Sequence, residues 1–215
     1  MLKNLKTPLA IVFVIVLIDQ IIKIYIKTHF RIGDEILVCG QDWFRIHFIE
    51  NKGMAFGMAF GGMTGKVLLT SFRIIFSVVI VFYLNSLVKK NTNKLTIYAF
   101  SLILAGALGN IIDSLFYGII FSESTPFAIA SAFQGNGYAP VFCGKVVDMF
   151  YFPLIDTVWP DWMPFVGGNK FRFFNAIFNF ADASITIGVC LLVISAFVRE
   201  KQIKKDNEFE QNETN

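Results

Sequence analysis

Four long apolar runs divide this chain, and the polar stretches between them differ greatly in length. The first begins at Leu9 and, beyond Ile18, keeps a helical alternation through Asp19-Gln20-Ile21-Ile22-Lys23-Ile24-Tyr25-Ile26. That extent is enough to cross about 30 Å of hydrocarbon. The second covers Val67 to Val88, the third runs from Leu95 to about Tyr117, and the fourth from about Asn175 to Val198. Each predicts a membrane-spanning helix. The start, Lys3 and Lys6 before an apolar run, has the look of a secretory signal, but no small-residue cleavage site follows, so helix 1 is expected to stay uncleaved.

Between helices 1 and 2, short runs such as Ile36-Leu37-Val38 and Trp43-Phe44-Arg45-Ile46-His47-Phe48-Ile49 are bounded by glycine and aspartate, which predicts two or three small strands. The stretch Ser114 to Phe173 holds many breakers, including Pro126, Pro140, Pro153, Pro160 and Pro164. It is too long for a plain connection and is expected to have structure of its own. The fold class that follows is mainly α and integral to a membrane. A single domain is expected over residues 1–200, with loops over 30–64 and 117–173 and a charged, disordered cytoplasmic tail over 201–215.

Composition strengthens this reading. The chain of 215 residues is 55% hydrophobic and 16% charged, with 25 phenylalanines, which is outside the usual range of soluble domains. The net charge of +3 carries no nucleic-acid signature and matters chiefly through its placement. Lys3/Lys6, Lys89/Lys90/Lys94 and Arg199/Lys201/Lys204/Lys205 flank alternate helix ends, so both termini and the 2–3 turn are expected in the cytoplasm and the two long loops outside. His29 and His47 are the only histidines, and Cys39, Cys143 and Cys190 form no CxxC, so neither a metal site nor a cofactor is expected. A Cys39–Cys143 disulfide is compatible with the topology, as are two unlinked small apolar residues.

The chemistry lies in carboxyls placed where they are expensive. An ionised aspartate within a membrane helix costs roughly 2.5 to 3.5 kcal/mol on insertion scales. Asp182 nevertheless opens the fourth run, and Asp148 sits in Val146-Val147-Asp148-Met149-Phe150. Asn110-x-x-Asp113 on helix 3 recurs as Asn179-x-x-Asp182 on helix 4, each placing an amide and a carboxyl on one face. By helical rise, Asp113 and Asp182 are expected at similar depth, about 27 and about 24 Å from the cytoplasmic helix ends. Asn51 and Gly53 enter from the first loop, and Asp19 and Lys23, four apart, are expected to pair. Two carboxyls held close cannot both ionise cheaply, which is what aspartic hydrolysis requires. No serine or cysteine has a nearby histidine to compete as nucleophile. Proton- or ion-coupled transport is the rival use of intramembrane carboxylates, though no internal repeat of helices is evident.

These motifs resemble those of lipoprotein signal peptidase, the type II prolipoprotein signal peptidase of bacteria. The resemblance rests on five blocks in order: Asp19-Gln20 with Lys23; Asn51-Lys52-Gly53-Met54-Ala55-Phe56; Gly106-Ala107-Leu108-Gly109-Asn110-Ile111-Ile112-Asp113; Val146-Val147-Asp148; and Phe178-Asn179-Phe180-Ala181-Asp182. It implies four transmembrane helices, a small extracytoplasmic β cradle and an aspartic mechanism without metal, in the bacterial inner membrane. The family's catalytic aspartates fall on Asp148 and Asp182. Asn51, Gly53, Asn110, Asp113 and Asn179 would support the site, with Asp19 as a structural or lipid-side contact. The implied partners are membrane lipid and a prolipoprotein substrate carrying diacylglycerol, cut before its lipidated cysteine. The chain departs from the family at Ser114, where the pattern has arginine. Its segments Phe121 to Lys145 and Pro153 to Arg172 are also longer than the family's usual loop.

Overall fold

A computed structural model describes residues 5–52, 62–135 and 137–213; Gly53 and the Met54-Ala55-Phe56 stretch lie outside the described residues. In chain order the elements are α1 (Lys6–His29), β1 (Glu35–Leu37), β2 (Arg45–Asn51), α2 (Gly62–Lys89) and α3 (Lys94–Ile112). After α3 come a π-helical turn (Asp113–Tyr117), a short α4 (Gly118–Ile120), β3 (Val146–Tyr151), β4 (Ile155–Val158), β5 (Lys170–Phe173), β6 (Ile177–Phe178) and α5 (Phe180–Glu213). Among the described residues, four helical segments, over Lys6–His29, Gly62–Lys89, Lys94–Ile120 and Phe180–Lys201, are long and apolar enough to cross a membrane. Large apolar side chains such as Phe13, Phe72 and Phe82 stay exposed on them, as expected where the solvent is lipid.

Two boundaries differ from the sequence expectation. The fourth span begins at Phe180 rather than near Asn175, because Ile177 and Phe178 pair with Tyr151 and Phe150 as a strand. Apolar residues that close a sheet edge look the same in sequence as those that open a helix. At the other end α5 stays helical through Glu213, across the stretch expected to be irregular. Its Lys, Glu and Gln content favours helix even without an apolar face.

The chain forms two compact units. One comprises Met1–Ile18, Phe72–Gly109 and Ala181–Asn215. Its core holds Val12, Ile80, Leu84, Ile103, Leu104 and Ala105. Here α3 and α5 approach to backbone contact. A side chain at Gly106 would collide with the Ala181 carbonyl and Ile185, and one at Gly188 with Ile103 and the Ala99 carbonyl. The Ser184 hydroxyl donates to the Leu102 carbonyl at 2.9 Å across the same seam. Small residues permitting close packing of spans account for this contact.

The other unit, Asp19–Ser71 and Asn110–Phe180, contains an antiparallel sheet of order β1-β2-β3-β6. Strand β3 is central and nearly all buried. Phe48, Val147 and Met149 pack with Ile26, Tyr117 and Phe121 beneath it. The long second loop is therefore structured, and β4 and β5 form a separate hairpin within it. All three cysteines are free, Cys143 buried and Cys39 and Cys190 exposed, so the disulfide compatible with the sequence is not formed.

Candidate active site

The second unit draws most of the expected polar residues around one ammonium. Lys23 Nζ, fully buried, lies 3.0 Å from Asp19 Oδ2 and 2.8 Å from Asp113 Oδ2, and donates to Asn110 Oδ1 at 3.0 Å. Its three N–H groups thus have three acceptors. The expected Asp19–Lys23 pair exists, but as one edge of a larger network. Gln20 Nε2 donates to Asp113 Oδ1 at 2.9 Å, Tyr117 Oη donates to Gln20 Oε1 at 3.1 Å, and the Val147 N–H reaches Asp113 Oδ2 at 3.3 Å. The last bond ties helix to sheet one residue before Asp148.

An ammonium can only donate, and this fixes the two amides beyond it. Asn110 must turn its oxygen to Lys23. That oxygen also accepts from Asn179 Nδ2 at 3.1 Å, and the same nitrogen donates to Asp148 Oδ1 at 2.6 Å. The hydrogen bonds therefore lead from Lys23 through Asn110 and Asn179 to Asp148. Lys23, Asp19, Asp113 and Asn179 are each 0% exposed, Asp148 2% and Asn110 5%. Buried polar groups persist only when paired, and these pair with one another.

Local structure explains the convergence. Asn110 closes α3, and the following turn at Asp113 is π-helical, a widening frequently found at functional sites. Gly144 packs against the Asp113 carbonyl, where a Cβ would clash. Asn51 pairs with Val146 and Ile49 with Asp148, so Asn51 and Asp148 lie on the same face of the β2–β3 ladder as diagonal neighbours. Ser114 is buried; its hydroxyl donates to the Asn110 carbonyl at 2.9 Å, and its own carbonyl accepts from the Gly144 N–H at 2.9 Å. With serine at that position, the cation beside Asp113 comes from Lys23 on another helix. Asp182 belongs to the first unit, on the opening turn of α5.

Sequence reasoning missed a second buried network in the same unit. Lys27 pairs with Glu50 and donates to Ser124 Oγ at 2.9 Å, and Ser124 in turn donates to Glu50 Oε1 at 2.8 Å. Lys145 Nζ lies 3.1 Å from Glu50 Oε2 and 3.2 Å from Glu123 Oε1. The Tyr138 ring faces both ammoniums, 4.9 Å from Lys27 and 5.0 Å from Lys145. Burial, the largest effect, disfavours the Lys145 ammonium, but Glu50 and Glu123 together outweigh it and leave the lysine's pKa raised; burial also pushes the Tyr138 hydroxyl upward. The available signal was Lys27 itself, four residues beyond Lys23 on the face already marked by Asp19. Among the described residues no group of three or more His, Cys, Asp and Glu is arranged to hold a metal ion.

Comparison with known proteins yields a consistent set. Residues 11–198 match the family of signal peptidase (SPase) II. The lipoprotein signal peptidase of Porphyromonas gingivalis is 47% identical over 191 residues, covering 88% of this chain and 82% of that protein. The lipoprotein signal peptidase of Amoebophilus asiaticus is 37% identical over 188 residues, covering 86% and 75%. A bacterial membrane enzyme solved by the in meso method at 2.3 Å resolution superposes with a TM-score of 0.61 at 27% identity, covering 91% of this chain and 90% of that one.

Proposed function

Because this chain belongs to the signal peptidase II family, we propose that Asp148 and Asp182 form the catalytic pair with which it removes signal peptides from lipoproteins. It is a multi-pass membrane peptidase. The observation that carries the assignment is the buried run of hydrogen bonds ending on Asp148. Asn179, which grips Asp148, stands three residues before Asp182 in the chain, so one short segment supplies both a holder for the first carboxyl and the second carboxyl. Ion-coupled transport, the competing use of such aspartates, is set aside because the family and these relatives are peptidases.

In the reaction one carboxylate takes a proton from water as the water oxygen attacks the scissile carbonyl carbon. The partner, protonated, hydrogen-bonds the carbonyl oxygen and then gives its proton to the leaving amine as the C–N bond breaks. Asn110, Asn179 and Asn51 orient carboxyls and substrate backbone, Asp113 supports them through Lys23, and Asp19 completes the lysine's shell. Gly53 belongs to the same site by its family block. The substrate is a prolipoprotein bearing diacylglycerol, cut before the modified cysteine. Its acyl chains place the scissile bond at membrane depth and orient it toward the carboxyls. The lysine distribution supports cytoplasmic termini and a site near the outer face of the bacterial inner membrane.

The test is incubation of purified full-length protein in detergent with a diacylated prolipoprotein and with its unlipidated precursor. Signal-peptide release from the lipidated form alone, unaffected by EDTA, is expected. Equal cleavage of both forms would point to a general signal peptidase, and zinc-reversible inhibition by EDTA would rule out the aspartic mechanism. A reporter inserted near Gly135 should read as external, and reporters fused after Lys90 or Lys205 as cytoplasmic.

A further inference from the structure

The β4–β5 hairpin has no part in the site described above. Neither strand joins the four-stranded sheet, and a two-stranded hairpin alone in water is marginal at best. Its register sets Ile155 opposite Phe173 and Thr157 opposite Phe171, positions that share one face because side chains alternate along a strand. The Trp159 ring packs on Phe171 with centroids 4.6 Å apart. The alternate register positions are Asp156 opposite Arg172 and Val158 opposite Lys170. One side of the ladder thus carries Ile155, Phe171 and Phe173 together with Thr157. Ile155 and Phe173 remain about half exposed, at 48% and 54%.

The tip is ordered rather than slack. Met163 N–H donates to the Pro160 carbonyl, Gly167 N–H to Met163 and Asn169 N–H to Val166, each at 3.0 Å. These turns project Trp162, 79% exposed, and Phe165, fully exposed, with Phe165 in the left-handed region at φ 70°. A bulky residue adopts that conformation at a steric cost. Across residues 160–169 the only ionisable side chain is Asp161.

We propose that this hairpin anchors the protein to the bilayer interface, with Trp162 and Phe165 inserted among lipid headgroups and the apolar face of the ladder resting on the lipid. The bilayer is the occupant at hand. The α5 span opens at Phe180, seven residues after β5 ends at Phe173, so the hairpin base lies within about 25 Å of chain from the membrane entry. Tryptophan concentrates at membrane–water interfaces because its ring is apolar and its N–H is wet. An amphipathic element with few charges at its inserting edge gains from lying in that plane. Residence in a membrane is the sole premise, and the aspartate assignment is not involved.

The experiment uses full-length protein carrying Trp43→Phe and Trp159→Phe, which leaves Trp162 as the only tryptophan of three, in phosphatidylcholine vesicles. The expected result is Trp162 emission blue-shifted from that of water-exposed indole. It should be quenched more by lipids brominated near the glycerol end of the acyl chain than by lipids brominated near the methyl end. Emission typical of open water, quenched by acrylamide and untouched by bromolipids, overturns the proposal. So does a blue shift that arises only on adding lipidated prolipoprotein, since the hairpin would then dock substrate instead. If the double variant fails to fold, the wild-type chain is irradiated with a phospholipid carrying a diazirine on its acyl chain. Adducts on the 160–166 peptide are expected; adducts on the spans with none there overturn the proposal.

Discussion

Lys23 and Lys27 stand one turn apart on α1, both wholly buried, yet their surroundings differ in kind. Lys23 is one cation set against Asp19 and Asp113 directly and, through two amides, Asp148: one positive group and three carboxyls. Lys27 and Lys145 face Glu50 and Glu123, two of each sign, with an aromatic ring between the ammoniums. The balanced cluster acts as a fastener, holding the end of α1, the end of β2 and the segment before β3. The cluster around Lys23 holds more carboxyls than cations, and burying such a surplus is costly.

The sharpest way to break this contrast is at the carboxyls assigned to catalysis. Asp148→Asn and Asp182→Asn should each lower cleavage by on the order of 10³-fold or more in the purified assay, with membrane insertion intact. The double variant should be little worse than either single one, because both changes disable one step. Asp113→Asn should be milder and Asp19→Asn milder still. If Asp148→Asn kept near-normal turnover while Asp113→Asn was dead, the helix carboxyl would replace the strand carboxyl in the mechanism.

Next in size is Lys23→Met, which leaves two buried carboxylates facing each other without their ammonium. A loss of roughly 3–5 kcal/mol in stability is expected, read from thermal unfolding in detergent. Adding Asp19→Asn should restore only part of it, since Asp113 stays uncompensated. Lys27→Met should cost less, about 1–3 kcal/mol, because Lys145 still serves Glu50. Its turnover per folded molecule should remain close to wild type. Equal catalytic losses for the two lysine variants would erase the distinction between fastener and site.

The smallest effect is expected at the surface. His47 and Arg45 lie 2.6 and 2.7 Å from the Glu35 carboxylate, and the His47 hydrogen bond, the largest cause, holds its pKa below the ordinary 4.5. A depressed carboxyl contributes above its unfolded pKa and loses that contribution as pH falls through its folded one. Glu35→Gln should therefore have its full effect above about pH 4.5 and progressively less below it, by less than about 1 kcal/mol given its exposure, as followed by denaturation at several pH values.

Much of this was legible in the chain because membranes impose simple rules. The spans are plain from continuous apolar runs, and the repeated Asn-x-x-Asp marks Asn110, Asp113, Asn179 and Asp182 in the sequence itself. The pairing of Ile177 and Phe178 with β3 was not legible, since a two-residue strand carries no periodicity. Nor was the Lys27–Glu50–Lys145 cluster, which joins residues far apart in sequence that share no motif. The π-helical turn after Ile112 was equally hidden: its sequence, Asp113-Ser114-Leu115-Phe116-Tyr117, is compatible with an ordinary helix, and its widening comes from tertiary contacts such as Gly144 against the Asp113 carbonyl.

The amide orientations fixed by Lys23 also distinguish the two oxygens of Asp148. Oδ1 receives the Asn179 N–H at 2.6 Å, and the hydroxyl oxygen of a neutral carboxylic acid is a poor acceptor. In the proposed mechanism a proton held by Asp148 would therefore sit on the oxygen that Asn179 does not occupy, a choice traced to an ammonium two amides away.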